Sequence, residues 1–380
     1  MGRELGIGML GCGFMGRCHT NALRTISYMY PALGFTPHLV SLCGRDAARL
    51  ERRATELGFA ETHTDWRVVV DDRRIELFDN CGPDPVHAEP SIAALEAGKH
   101  VICEKPLAVS VRAARQMRDA ARRAAGRSMC MFNYRFFPAV CHARQLIREG
   151  RLGRIYHMRV RYLQMAGHDP SLPPEQVWYS GWPHSGVLQG IGSHAIDQCR
   201  MLLGEVASVS AVIRTFNPKR AVPSESGERA VVDEGTAAIL EFENGAIGVL
   251  EASAVATGHK NRLEWEINGS TGSVRWNLEY PNSLWVSFGR PGEDLLGGFS
   301  EVSITEGGHP FMAEWWPPGH SLGWEHGHVI GIACFLKAIL SGEPLPDSVP
   351  SFEDGYRVAV LIEAMRESSR TGQQVQPVFD

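Results

Sequence analysis

The sequence lacks any apolar run long enough to span a bilayer, and it has no Cys-x-x-Cys pair, internal repeat or low-complexity segment. A membrane-spanning helix needs about 20 consecutive apolar residues, so none is expected. An excess of charge of one sign is missing too, because 38 Lys and Arg stand against 43 Asp and Glu, a net of −5. That balance makes no electrostatic case for nucleic acid or for an anionic membrane surface as a partner. Nine cysteines are an odd number, scattered along the chain. They suit buried thiols in a reducing compartment better than a disulfide frame, and no ligand pair stands at recognisable metal spacing. No metal is expected. The first residues carry Glu4 and a glycine-rich loop where an export signal would carry an apolar core, so a cytoplasmic protein is expected.

At 380 residues and 44% hydrophobic content, the chain can build two cores. Residues 5–10 form a short apolar run, followed by Gly11-Cys12-Gly13-Phe14-Met15-Gly16 and a helical stretch over 18–30. Strand, G-x-G-x-x-G and helix in that order are the context a dinucleotide-binding loop requires. Gly11 permits the turn, Gly13 lets backbone approach a pyrophosphate and Gly16 allows close helix packing. Phe14 and Met15 complete the loop, and the helix start supplies free N–H groups. The next strand, 38–43, ends at Gly44-Arg45. An NAD-specific fold usually places an acidic residue there; Gly-Arg instead leaves room for a 2′-phosphate, so these residues alone lean to NADP.

A third strand over 75–80 runs into the turn Cys81-Gly82-Pro83-Asp84-Pro85, with His87 just beyond, and then a helix to 97. The strand 100–104 ends in Glu104-Lys105-Pro106, where a proline restricts the lysine to extended conformations and aims it at the crevice. A helix over 111–124 and a strand over 128–132 close an α/β, doubly wound parallel sheet. After Asn133 the rhythm changes. A helix over 136–149 and an alternating segment over 154–165 precede a loop rich in Pro, His and Trp. Gly190-Ile191-Gly192-Ser193 then opens a helix from His194. Strand-like runs follow, with Asn244-Gly245 and Asn268-Gly269 as hairpin turns, and helices over 325–340 and 352–370 end the chain.

Several of these residues suit the oxidation of an alcohol. An unperturbed imidazole titrates near neutrality, so His194 suits taking a hydroxyl proton, while Lys105 suits stabilising negative charge on the same oxygen. Asn133 and Tyr134 follow a strand end and face the same crevice. His168, Trp178, Tyr179, Trp316 and His320 offer aromatic faces and imidazoles to a pyranose. Arg159, Arg161 and Arg214 are available for an anionic group or for pairing on a sheet face.

Together, the glycine loop, Glu104-Lys105-Pro106-Leu107, Asn133-Tyr134-Arg135 and Ile191-Gly192-Ser193-His194-Ala195-Ile196-Asp197 resemble the glucose–fructose oxidoreductase/inositol dehydrogenase (Gfo/Idh/MocA) family. The stretch Trp315-Trp316-Pro317-Pro318-Gly319-His320 is similar to the subset acting on free sugars and glycosides, levoglucosan dehydrogenase-like proteins among them. The resemblance implies a Rossmann domain over 1–132 and a C-terminal α+β domain over 133–380 with a large open antiparallel sheet. It also implies that the nicotinamide lies between the domains and that the outer face of that sheet builds a homo-oligomer. Lys105 and His194 would be the catalytic pair. Gly11, Gly13, Phe14, Met15, Gly16, Gly44, Arg45, Cys81, Pro83, His87, Glu104, Lys105 and Asn133 would surround the cofactor, taken as NAD with NADP as the alternative. The family pattern carries an Asp four residues before the histidine, whereas this chain has Gly190; Asp169, Asp197 and Glu104 are the candidate replacements. The expected activity is NAD(P)-dependent oxidation of a pyranose secondary hydroxyl at carbon 3. The alternative is an NAD-dependent glycosidase that oxidises transiently, eliminates, adds water and reduces again, acting on an anionic glycoside.

Overall fold

The described residues of the chain are 3–172, 177, 186–217, 222–223, 229–230, 232–289 and 297–380, in a computed structural model. They fall into two units, residues 1–136 with 325–359 and residues 137–324 with 360–380. Trp178 and Tyr179, expected at the substrate, lie outside the described residues, as do Trp182 and His184.

The first unit alternates strand and helix. It begins with β1 (Arg3–Leu10), α1 (Phe14–Met29), β2 (Phe35–Cys43), α2 (Ala47–Leu57), β3 (Glu61–His63) and α3 (Trp66–Asp71). It continues with β4 (Leu77–Asn80), α4 (Ala88–Glu96), β5 (His100–Glu104), α5 (Val111–Arg123) and β6 (Ser128–Met131). All pairs are parallel, in the order β3-β2-β1-β4-β5-β6. The chain reverses direction across the sheet between β1 and β4, and the carboxyl ends of the strands at such a switch point frame a ligand crevice. β4 is buried at all four residues and β5 at four of five, as strands covered on both faces are; β5 carries the apolar run Val101-Ile102-Cys103, while β4 buries Asp79 and Asn80 beside Leu77 and Phe78. β3 reads as nothing in sequence because Glu-Thr-His, at the sheet edge, buries no apolar side chain.

The second unit contains α6 (Pro138–Arg148), β7 (Ile155–Leu163), α7 (Ser193–Leu203), β8 (Val206–Arg214), β9 (Val222–Pro223) and β10 (Arg229–Ala230). After these come β11 (Gly235–Phe242), β12 (Ile247–Ser253), β13 (Arg262–Gly269), β14 (Gly272–Asn277), β15 (Ser283–Phe288) and β16 (Ser300–Ser303). Eight of these strands form one open sheet in the order β16-β15-β14-β13-β7-β12-β11-β8. The hairpin turn at Asn244-Gly245 is present, whereas Asn268 and Gly269 end β13 and the turn to β14 falls on Ser270-Thr271; burial alternates along β11 and β12, so one face is covered and the other is open. One pair departs from the antiparallel pattern, since β12 runs parallel to β7. No hairpin joins those two strands; α7 and β8 intervene, so the turn rule that forces antiparallel neighbours does not apply.

α8 (His326–Ser341) and the first part of α9 (Phe352–Thr371) belong with the first unit, which differs from a division at 132/133. α8 buries most of its residues, so it needs a covering on nearly every side. Its C-terminal carbonyls are met by one guanidinium: Arg127 donates to Ala338 O at 2.7 Å, to Gly342 O at 2.6 Å and to Glu343 O. Arg118 stacks on the Tyr356 ring at 4.1 Å, and Arg135 pairs with Asp354 at 3.0 Å.

Arg127→Ala should therefore lower the stability of this unit by about 2 kcal/mol, because hydrogen bonds from a charged donor are worth more than neutral ones. Arg127→Lys should not restore it, since a point charge cannot span three carbonyls as a planar fork does. Urea unfolding of the three proteins measures both effects.

Candidate active site

The loop between β1 and α1 is shaped by close contacts. Gly11 has φ +103°, and a Cβ there would stand 2.4 Å from the Cys81 carbonyl oxygen. A Cβ on Gly16 would lie 2.2 Å from the Gly11 carbonyl oxygen, so the helix can approach the turn only with glycine at this position. Nothing lies within 4 Å of the corresponding point on Gly13, which N-caps α1 without a side-chain cap. An open backbone cradle beside uncapped first-turn amides fits a pyrophosphate. Phe14 is exposed and Met15 half-buried at the rim of that cradle. At the end of β2, Gly44 is half-buried and Arg45 exposed. Asp46 is not available as the ribose carboxylate, because it caps α2 by accepting from the Arg49 amide at 2.9 Å.

The turn after β4 and the Lys105 segment are tied together from below. His87 is fully buried; its Nδ1 donates to Pro106 O at 2.8 Å and its Nε2 to Gly82 O at 3.0 Å. Both ring nitrogens are thus engaged with buried backbone carbonyls. Cys81 is also buried, its thiol 3.2 Å from His19 Nδ1 and 3.4 Å from Asp79 Oδ1. Burial pushes that thiol well up, so it stays protonated. Pro83 precedes a short 3-10 turn and is half-buried.

Lys105 is half-exposed, and its peptide bond to Pro106 is cis. Its amide donates to Glu104 Oε2 at 3.0 Å. The other oxygen of Glu104 accepts from His19 Nε2 at 3.1 Å, while His19 Nδ1 faces Asp79 Oδ1 at 2.9 Å and Oδ2 at 3.0 Å. The His328 ring lies 5.6 Å from the His19 ring, centroid to centroid. Burial opposes a charge on His19, but the Asp79 carboxylate outweighs it and carries the imidazole well above its ordinary value. Burial likewise opposes the Glu104 charge and is overcome by the hydrogen bond from His19, leaving that carboxyl low. His328 goes the other way, to about 3, first through burial and then through the His19 cation. Asn133 and Tyr134, in a 3-10 turn after β6, are both buried. His19, Asp79 and His328 escaped sequence reasoning. The available signal was a carboxylate inside a buried strand, which requires a partner.

In the second unit, His194 is buried in the first turn of α7, directly after a π turn over Leu188–Gly192. The Tyr162 ring of β7 lies 6.1 Å from it, and Tyr162 Oη donates to Asn261 Oδ1 at 2.7 Å. Gly190 is buried, and its neighbour Gln189 accepts from Arg366 at 3.0 Å. Asp169 accepts from the Ser171 amide and hydroxyl within its own turn, at 2.8 and 2.6 Å, and Asp197 is buried on α7. A carboxylate that the sequence did not single out, Asp233, accepts from the Leu188 amide at 2.6 Å and takes the Val187 amide on its backbone carbonyl at 3.0 Å. Burial raises its pKa. It anchors the start of the segment that carries His194. His168 and His320 are exposed and donate Nδ1–H to Met165 O at 2.6 Å and Pro317 O at 2.9 Å, and Trp316 is half exposed. Arg159 donates to Asn268 at 2.9 Å and Arg161 pairs with Glu264 across β7 and β13, so both are engaged on the open face of the sheet.

The two buried imidazoles give opposite pH dependences. His19 is raised, so its contribution to stability is whole below about 6.5 and is lost as pH rises through its folded value. His328 is lowered from 6.5 to about 3, so its contribution is whole above pH 6.5 and is lost as pH falls. The stability of wild type relative to His328→Phe should fall by about 1 kcal/mol between pH 6.5 and 5.5. Urea unfolding at the two pH values checks this, and a pH-independent difference contradicts it.

Comparison with known proteins agrees with this geometry. Residues 5–132 match the model of the oxidoreductase family with an NAD-binding Rossmann fold, and residues 140–275 match the GFO/IDH/MocA C-terminal domain. A levoglucosan dehydrogenase of Pseudarthrobacter phenanthrenivorans is 36% identical, the match covering 97% of this chain and 96% of that protein. A crystal structure of an oxidoreductase domain protein from Kribbella flavida superposes with a TM-score of 0.91 at 39% identity, covering 100% of both chains. A levoglucosan dehydrogenase in complex with NADH and levoglucosan also superposes with a TM-score of 0.91, at 35% identity, covering 99% of this chain and 100% of that one. The first unit is an NAD-binding Rossmann domain, and the chain belongs to the GFO/IDH/MocA family of oxidoreductases.

Proposed function

We propose that this enzyme oxidises a secondary hydroxyl of a pyranose sugar or glycoside, at carbon 3, with NAD. The observation that carries the reading is Lys105, held by its backbone at the carboxyl end of β5 in an NAD-binding domain, where ligands of such sheets bind. NAD, when bound, supplies the hydride acceptor. His194 takes the hydroxyl proton on an imidazole nitrogen, and the Lys105 ammonium stabilises the negative charge that develops on oxygen. Tyr134, His168, Trp316 and His320 are the residues we assign to the sugar, together with Trp178 and Tyr179. The levoglucosan dehydrogenases among the relatives support an uncharged anhydro sugar or pyranose as substrate. The engagement of Arg159 and Arg161 with the sheet removes the support they lent to an anionic glycoside.

Gly190 favours a second reading, redox-neutral glycoside cleavage, because a site without that carboxylate has different acid–base equipment. Incubation with NAD and levoglucosan or methyl glucosides separates the two. Net NADH formation supports the dehydrogenase, whereas aglycone release without NADH replaces it with the glycosidase. Lys105→Ala and His194→Ala should each lower kcat by about 10²–10⁴-fold. In wild type, kcat/KM should rise with pH through a limb set by the base, and His194→Ala should remove that limb.

We also infer a homo-oligomer through the open face of the large sheet. Val212, Ile239, Ile247 and Val249 are exposed there on neighbouring strands, with Ile239 directly opposite Val249. Contiguous exposed β-branched residues are the pattern of a covered face. Ile239→Lys/Val249→Lys should shift the mass measured by light scattering to a smaller species. An unchanged mass for this variant counts against the interface.

A further inference from the structure

We propose that His19 is a positioning residue of this reaction: its buried ring holds the Glu104 carboxylate, and through it the backbone of Lys105, against the helix whose first turn receives the cofactor phosphates. The inference rests on the reading of Lys105 as catalytic. His19 lies on the buried side of α1, in the second turn of that helix after the glycine loop. Its ring is wholly buried, with Nδ1 between both oxygens of Asp79 and Nε2 on Glu104 Oε1. Both partners are carboxylates, which only accept when ionised, so both ring nitrogens carry a proton. Such a ring has no lone pair for a metal. In the grouping of His19, Glu104 and His328, whose ligand-type atoms lie within 4.8 Å of one another, His19 and Glu104 are therefore joined by a hydrogen bond and the His328 ring packs beside them.

Glu104 is gripped at both oxygens, by His19 on one and by the Lys105 amide on the other. Turning the carboxylate away breaks two charge-assisted bonds at once. Asp79 anchors the opposite side of the ring to β4, so sheet, phosphate helix and Lys105 segment are joined through one side chain. The other titratable groups around the ring are Cys18, Cys81, Lys105, Glu325 and His328. None of these supplies a second acceptor at hydrogen-bond distance to Nε2 among the contacts described. Displacing a catalytic group by about 1 Å from a remote site can cost on the order of 10²-fold in rate.

Two variants divide the ring's contacts. His19→Asn keeps a donor towards Asp79 and loses the reach to Glu104, whereas His19→Gln keeps a donor towards Glu104. With levoglucosan and NAD, His19→Asn should lower kcat by on the order of 10²-fold, while the sugar KM and the NADH Kd stay within about threefold. His19→Gln should recover about tenfold of that loss. Wild-type turnover in His19→Asn overturns the proposal, as does a Gln variant no better than Asn. Independently of turnover, ¹⁵N-histidine labelling of the wild type should show, beside the doubly protonated ring of His87, a second doubly protonated ring at pH 8 that both variants lack. A neutral His19 ring overturns the proposal even if neither variant folds. If Lys105→Ala keeps full activity, the catalytic reading of Lys105 fails, and the ¹⁵N result still reports on the ring.

Discussion

Asp79 and Glu104 both end in the dry interior of the first unit, and the architecture around the Lys105 segment depends on the single imidazole that bridges them. Burying two carboxylates costs several kcal/mol each unless they are paired, and breaking such a pair typically costs 3–5 kcal/mol, roughly. One cation shared by two acceptors leaves a residual negative charge, which the Lys105 amide and the protonated Cys81 thiol help to satisfy. The neutral His328 fits the same electrostatics, because a second cation beside His19 would be repelled. A buried polar cluster of this kind is a poor source of net stability, but it specifies one arrangement of the loops above it.

A second brace acts on the other side of Lys105. His87 joins the Pro106 carbonyl to the turn at Gly82, while Glu104 is fixed by His19. The lysine side chain thus stands on a backbone held at the residue before it and the residue after it. On the proposed reading of Lys105, this bracing would direct a flexible four-carbon ammonium by fixing its root. In the second unit the corresponding support is Asp233, which ties down the amide of Leu188 ahead of the helix carrying His194.

Most of the fold could be read from the chain because its signals are local. The glycine loop is dictated by backbone approach, seen in the contacts a Cβ on Gly11 or Gly16 would make. β5 announces itself as an apolar run because helices cover both faces of a parallel sheet, and the Asn244-Gly245 hairpin follows from a left-handed glycine at φ +84°. Where no local pattern existed, reading failed. β3 buries nothing apolar, the Leu188–Gly192 π turn has no sequence signature, and nothing local marks the complete burial of His87.

By itself, therefore, the sequence determined the order of most strands and helices, the dinucleotide loop, the placing of Lys105 at a strand end and the family, since each depends on residues within a turn or two of one another. The tertiary structure alone decided which partners the buried charges took. His19 meets Asp79 and Glu104 across 60 and 85 residues of chain, the segment 325–359 returns to the first unit, and β7 lies parallel to β12. Those choices follow from which strands become neighbours and which helix covers them, and a desolvated charge accepts whatever partner that packing brings within about 3 Å.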